Sequence, residues 1–173
     1  FDRMDLMIFI SEKARQNMFM FNKYHRLRNG KDRLVLIPNS TEIPEYYSDK
    51  NLEEFNIIFV GRGSSEKRID IILRIAEKIE DTVGINFHLV GDLSKFIPAS
   101  VPSNVSVVGE ILDNNDLKSI YKKADILLIT SNREGFPMVI MEAMARGVIP
   151  VATPVGDIPR YITSYENGFV SSS

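Results

Sequence analysis

Short apolar runs alternate along this chain with stretches in which apolar residues recur every three or four positions. Asn56–Val60 (NIIFV), Ile85–Val90 (INFHLV) and Ile126–Thr130 (ILLIT) are apolar on both of their faces. That is the pattern of strands buried in a parallel sheet. Between them, Ile69, Ile72, Leu73, Ala76 and Ile79 fall on one side of a helix over 66–80. Leu117, Ile120 and Tyr121 do the same for a helix over Asp113–Lys123. Val105–Val108, Val148–Ala152 and Gly168–Val170 read as shorter strands, and residues 92–104 as an irregular loop. Met138–Arg146 reads as a helix closed by Gly147, with Met138, Met141 and Met144 packed in the core. Asp157–Ile162 reads as a short helical turn. Nearer the start, strands are expected at Asp5–Ile10 and Arg33–Ile37, joined by a helix over 12–28 with Ser11 as its cap. Met18, Phe21 and Tyr24 are its buried positions. Residues 38–54 are polar and hold two prolines, the signature of a connector.

Strands alternating with amphipathic helices imply an α/β protein, its parallel sheet covered on both faces. Such sheets hold ligands beyond the C-terminal ends of their strands. Gly61, Gly91 and Gly109 each end a strand, where bare backbone can approach a ligand; turn formation explains any one of them equally well.

Composition narrows the choice. The 173 residues are 44% hydrophobic and 25% charged, enough for a globular core without staples. With no Cys, disulfide frameworks, thiolate metal sites and Cys nucleophiles are excluded. No apolar run is long enough to span a membrane. The formal charge of −2 is uneven: residues 1–40 carry +4 and residues 41–173 carry −6. Charge alone therefore argues against a nucleic-acid binder. The basic cluster Lys23, His25, Arg26, Arg28, Lys31 and Arg33 reads first as a solvated helix end and loop; contact with anionic lipid or a phosphorylated substrate stays open.

Two stretches carry chemistry. Gly61-Arg62-Gly63-Ser64-Ser65-Glu66-Lys67 joins a strand to a helix and places two cations five residues apart, spaced to clamp a diphosphate. Neither the phosphate loop G-x-x-x-x-G-K-[ST] nor G-x-G-x-x-G is present. A charged turn is the plainer reading of that loop by itself. In the second stretch, Ser131 to Gly147, a strand ends and a helix begins near Pro137, whose missing N–H costs nothing at that position. The start of a helix offers unpaired N–H groups to phosphate oxygens. Glu134 precedes this start and Glu142 follows it, so the two carboxylates can address one ligand from different sides and accept hydrogen bonds from vicinal hydroxyls. Taken singly, an exposed loop acid and a favourable charge near a helix start explain them as well.

G-R-x4-K at 61–67, E-G-F-P-M-V-I-M-E-A-M-A-R-G at 134–147 and P-V-A-T-P-V-G at 150–156 together resemble the C-terminal, Rossmann-like domain of a GT-B glycosyltransferase. The retaining family-4 enzymes with an E-x7-E signature are the particular likeness. I-P-N-S at 37–40 resembles the family's I-P-N-G at the domain junction. The resemblance implies that residues 41–173 form a domain binding a nucleotide-sugar donor, truncated at its C-terminal end. Residues 1–40 would be a remnant strand, helix and linker of the N-terminal acceptor domain. It implies catalytic roles for Arg62 and Lys67, on the donor diphosphate, and for Glu134, on hydroxyls of the donor sugar. Gly135 and the backbone of Phe136, Met138 and Val139 would meet sugar or phosphate around Pro137, and Glu142 would bind ribose. Gly61, Gly91 and Ile111 would frame the nucleotide. Three residues depart from the family pattern: Arg68 follows the clamp lysine where Gly is usual, Pro137 stands where Gly is common, and Ser40 replaces the junction Gly.

The resulting expectation is hexosyl transfer from a nucleotide diphosphate sugar to a hydroxyl of a carbohydrate or lipid-linked acceptor, in polysaccharide or glycolipid synthesis. No metal and no cofactor is expected, and the missing N-terminal domain is the partner in cis. The chain is expected in the cytoplasm, with peripheral contact at the inner face of the membrane as a secondary expectation. It lacks an initiator Met and reads as a fragment, expected to be inactive alone. A nucleotide-sugar epimerase of the same fold and a non-catalytic Rossmann-like interaction module are the alternatives.

Overall fold

The computed structural model describes residues 7–10, 15–16, 34–37, 39–44, 50, 53–135 and 137–172. The expected cap Ser11, the helix over 12–28 apart from Arg15 and Gln16 (which are helical), and the basic cluster at 23–33 lie outside them. So do Pro38 and Phe136.

Strand β1 (Met7–Phe9) pairs in parallel with β2 (Leu34–Leu36), and the Ile37 N–H extends the pairing to the Phe9 carbonyl at 2.9 Å. The remaining strands are β3 (Phe55–Val60), β4 (Ile85–Val90), β5 (Val105–Gly109), β6 (Ile126–Ile129), β7 (Ile149–Ala152) and β8 (Phe169–Val170). They form one all-parallel sheet in the order β5-β4-β3-β6-β7-β8. Winding runs outward from β3 in one direction and then, from β6, in the other. The first and fourth strands of this sheet are therefore neighbours, and the loops leaving their C-terminal ends diverge around a crevice.

Alternation within each strand builds two cores. Ile57, Phe59, Phe87, Leu89 and Leu128 point to one face and bury Ile69, Ile72 and Ala76 of helix α1 (Ile69–Lys78). Ile58, Leu127 and Ile129 point to the other. There they pack on Tyr121 and Ala124 at the end of α2 (Asn114–Lys123), Ile140 and Ala143 of α3 (Met138–Met144), and Ile158 of α4 (Ile158–Tyr161). Burial on both faces holds for the central strands. At the edges, with a neighbour on one side only, Val107, Val108 and Phe169 stay about 40% exposed.

Local signals set the helix ends. The Asp113 carboxylate caps α2 by accepting from the Asn115 N–H at 2.6 Å. Helix α3 stops earlier than its apolar pattern suggests, at Met144. Gly147 (φ 68) closes it by bonding N–H to the Met144 carbonyl while Val148 N–H reaches Ala143, the paired geometry of a Schellman ending. The helix expected over 66–80 is broken. Ser65–Lys67 forms a single 3-10 turn, and Arg68 then adopts φ 52, ψ 50 before α1 begins. This left-handed conformation is why glycine suits the position and why the apolar periodicity starts only at Ile69. The Arg68 guanidinium clasps the Asp70 carboxylate with two hydrogen bonds of 2.9 Å. Substituting a β-branched residue makes the backbone demand visible: Arg68→Val is expected to lower Tm by about 3–6 °C, and Arg68→Gly to stay within about 2 °C of the parent, in a thermal melt followed by circular dichroism.

His88 on β4 is half-buried, with Nε2 2.9 Å from the Asn56 Oδ1. Burial lowers its pKa below the usual 6.5; Lys123 acts in the same direction and Glu54 opposes it. A lowered folded pKa means that the unfolded chain binds the extra proton first, so stability is complete above about pH 6.5 and falls as the pH drops through the folded value. The chain is expected to melt at a lower temperature at pH 5 than at pH 7, and His88→Gln to shrink that difference. An unchanged pH dependence in the variant would remove His88 as its source.

Candidate functional site

The crevice between β3 and β6 is closed at its base by hydrogen bonds linking the two diverging loops. Thr130, buried at the end of β6, directs its hydroxyl at the carbonyls of Lys67 (2.9 Å) and Arg68 (3.0 Å). The Asn132 N–H donates to the Glu66 carbonyl at 2.9 Å. These contacts carry Lys67 across to the second loop, where its Nζ lies 2.6 Å from Glu134 Oε1. The Ser131 hydroxyl donates to the same oxygen, also at 2.6 Å. Side-chain exposure is 27% for Lys67 and 10% for Glu134, so the pair is partly buried and the cation is its more accessible member. Arg62, on the preceding loop, is exposed.

A third loop supports the second from behind. After β7, the Thr153 hydroxyl donates to the Ser131 carbonyl, and the Asp157 N–H donates to the Gly135 carbonyl at 2.9 Å. Between them Gly156 adopts φ 64, and a Cβ at that position would overlap the carbonyl oxygens of Glu134 and Gly135. Among the described residues, nothing lies within 4 Å of a Cβ on Gly135. Pro137 (φ −71) stands at the cap position of α3, so Met138 and Val139 open the helix as expected.

Strand-end glycines divide by role. A Cβ on Gly91 would overlap the Gly61 carbonyl, and the Gly61 N–H bonds to the Val90 carbonyl at 3.0 Å. Packing between neighbouring strand ends thus requires Gly91 in the protein without any ligand. Among the described residues, nothing lies within 4 Å of a Cβ on Gly109. Ile111 is half-buried in the loop between β5 and α2.

Glu142 lies elsewhere. Its Oε2 accepts from the Tyr121 hydroxyl at 3.0 Å, and the Arg146 NH1 donates to the Glu142 backbone carbonyl at 3.0 Å. Glu142 lines a polar cleft of about 210 Å3 with Thr41, Asn114 and Lys118, whose walls include neither Lys67 nor Glu134. The structure therefore brings Lys67 and Glu134 into contact and sets Glu142 in a neighbouring cleft. Of the expected core methionines, Met144 packs against the core as a partly buried side chain, whereas Met138 is 37% exposed; Met141 and Met144 line an apolar cleft of about 460 Å3 with Ile10, Ser40 and Tyr161. With α3 ending at Met144, only Ile140 and Ala143 of that helix are fully buried.

The residues that position the acids escape a reading by apolar pattern. Thr130, Ser131 and Thr153 carry only a polar residue at a strand end as signal. Tyr121 and Arg146 read as a core aromatic and a terminal helix charge. Among the described residues, no helix is long and apolar enough to cross a membrane.

Residues 41–173 match the family described as glycosyl transferases group 1. The chain belongs to that family. The matched segment holds Arg62, Lys67, Glu134 and Glu142. This glycosyl transferases group 1 chain is 28% identical over 142 residues to an uncharacterized 41.2 kDa protein of the cps region of Klebsiella pneumoniae, covering 82% of the chain and 38% of that protein. Its fold matches the apo lipopolysaccharide outer core galactosyltransferase WaaB with a TM-score of 0.72 at 21% identity, over 97% of the chain and 48% of WaaB. It also matches Anabaena HepE in complex with UDP-glucose, TM-score 0.71 at 19% identity, over 97% and 50% of the two chains. The chain thus spans half or less of the length of these proteins, and the parallel Rossmann-like sheet is that of GT-B structures.

Packing and backbone strain at the third loop separate in two variants of this glycosyl transferases group 1 chain. Gly147 and Gly156 both have positive φ, but only Gly156 faces backbone. Gly156→Ala is expected to cost about 2–4 kcal/mol in urea unfolding, and Gly147→Ala about 1 kcal/mol. Equal losses would show that the Glu134–Gly135 loop gives way to an added methyl.

Proposed function

We propose that this chain forms the donor-binding portion of a retaining glycosyltransferase, one that moves a hexosyl group from a nucleotide diphosphate sugar to a hydroxyl acceptor. The carrying observation is the Lys67–Glu134 contact of 2.6 Å at the crevice between β3 and β6, within the segment that matches the family. The E-x7-E spacing of Glu134 and Glu142 supports the retaining assignment, and the UDP-glucose bound by Anabaena HepE supports the donor class. The cps-region relative and the lipopolysaccharide galactosyltransferase support a role in building surface polysaccharide or glycolipid.

In this reading Lys67 and Arg62 hold the diphosphate. As the bond from the anomeric carbon to the diphosphate oxygen breaks, negative charge grows on the leaving group, and fixed cations beside it stabilise the transition state more than the ground state. Glu134 accepts hydrogen bonds from sugar hydroxyls. It is also the counter-ion that holds Lys67 before the donor arrives, so the ammonium is in place without a search for its rotamer. Glu142 accepts from the ribose hydroxyls. Gly61, Gly91, Ile111 and the backbone from Gly135 through Val139 frame the nucleotide and sugar. The acceptor is positioned by the rest of the protein, and the chain alone binds donor without transferring it.

Titration calorimetry with UDP, GDP and ADP tests the site. Each charge-assisted contact contributes about 1.5–3 kcal/mol, so Arg62→Ala and Lys67→Ala are each expected to weaken diphosphate binding about 10- to 100-fold. Full-strength binding by the double variant would contradict the clamp. Failure of all three nucleotides to bind the parent chain or raise its Tm would favour a non-catalytic module instead.

A further inference from the structure

Tyr121 is 1% exposed, and its ring belongs to the core beneath α2 and α3. A buried phenol needs a hydrogen-bond partner. This one is the Glu142 carboxylate, at 3.0 Å. Arg146, 7% exposed, lies with its guanidinium carbon 5.7 Å from the centre of the Tyr121 ring and grips the Glu142 backbone carbonyl. One residue is thus held twice from the buried side, through its main chain by Arg146 and through Oε2 by Tyr121. Among the described residues no group donates to the other oxygen, Oε1, and the carboxylate borders the open 210 Å3 cleft. Burial, reinforced by the Glu142 charge, pushes the Tyr121 pKa far above its ordinary range, so the phenol is a permanent donor.

A carboxylate anchored from beneath at one oxygen and open at the other is a pre-oriented acceptor. Without the anchor, an acid on a helix surface samples several rotamers and must lose that freedom on binding. We propose that Tyr121 is a positioning residue for donor recognition, its hydroxyl fixing Glu142 so that Oε1 is presented to the ribose hydroxyls of the nucleotide. Arg146 serves the same end by stacking on the Tyr121 ring and fixing the Glu142 main chain. The proposal rests on the ribose role of Glu142 given above, and goes beyond it by naming what makes that acid an effective acceptor.

The test uses UDP, GDP and ADP, their 2′-deoxy forms and inorganic pyrophosphate, titrated against the parent chain, Tyr121→Phe, Glu142→Ala and the double variant. Tyr121→Phe keeps the ring and its packing, and thermal melts report any loss of folding. The expected result is 3- to 10-fold weaker binding of the ribonucleotides by Tyr121→Phe, with pyrophosphate affinity unchanged and the preference for ribo over 2′-deoxy forms reduced. In the Glu142→Ala background, Tyr121→Phe should have no further effect, because the hydroxyl then has no carboxylate to hold. Unchanged ribonucleotide affinity in Tyr121→Phe, or equal losses for nucleotide and pyrophosphate, would overturn the positioning role while a loss confined to Glu142→Ala leaves the ribose reading standing. Parent-like nucleotide binding by Glu142→Ala, or no nucleotide binding by the parent, would overturn both.

Discussion

The hydroxyl of Thr130 and the ammonium of Lys67 fasten the loop after β3 to the loop after β6, and the site is built on that fastening. Parallel strands pair through their own backbones, but the loops leaving a reversal point in strand order have no ladder to hold them together. Here the junction is made by a buried side chain at the end of β6 reaching two carbonyls of the first loop, by the Asn132 N–H on Glu66, and by the 2.6 Å contact to Glu134. Each bond is modest alone, and their value lies in sharing one short segment: fixing Lys67 for one of them fixes it for the others. The left-handed turn at Arg68 belongs to the same arrangement, since a continuous helix from residue 66 would not place the 3-10 turn and Lys67 ahead of α1 as observed.

The second loop is constrained from the opposite side. Gly156 lets the segment after β7 lie directly against the Glu134 and Gly135 carbonyls, and Asp157 and Thr153 add hydrogen bonds to the same backbone. Glu134 is thus placed by three strands at once: β6 supplies its loop, β3 supplies its counter-ion and β7 supplies its support. A carboxylate only 10% exposed is costly unless it is paired and hydrogen-bonded, and Lys67 and Ser131 meet that requirement on a single oxygen.

Much of this was legible in the chain because its causes are local. The apolar runs at 56–60, 85–90 and 126–130 supplied the central strands, the last of them ending one residue earlier at Ile129, and the faces of α1 and α2 followed from spacing, with Ile69, Ile72 and Tyr121 all buried. G-R-x4-K and E-x7-E marked Lys67 and Glu134, which the fold brings together over 67 residues of chain. What was not legible depends on partners distant in sequence. Nothing near Tyr121 in the chain reveals that its hydroxyl finds Glu142, and nothing near Met141 reveals that it lines an apolar cleft. Gly91 looked like room for a ligand, whereas the nearest obstruction is the Gly61 carbonyl. Arg68 registered as a departure from a motif, and only the backbone angles show that the motif's glycine answers a conformational demand.

Glu134 lies in the loop before α3 and Glu142 within that helix, and each accepts from a hydroxyl: Ser131 for the first, Tyr121 for the second. The difference lies in what faces them. Glu134 shares its bonded oxygen with a cation, so its charge is largely answered within the protein. Among the described residues the Glu142 side chain has only a neutral phenol as donor, Arg146 bonds to its main chain, and the residue lines an open cleft. The first arrangement suits a group whose ammonium partner is the working part when an anion arrives. The second suits a group that must itself accept hydrogen bonds from an uncharged polyol. Two acids eight residues apart thus acquire different chemistry from their neighbours, and those neighbours come from parts of the chain distant in sequence: Lys67 from the turn after β3 and Tyr121 from α2.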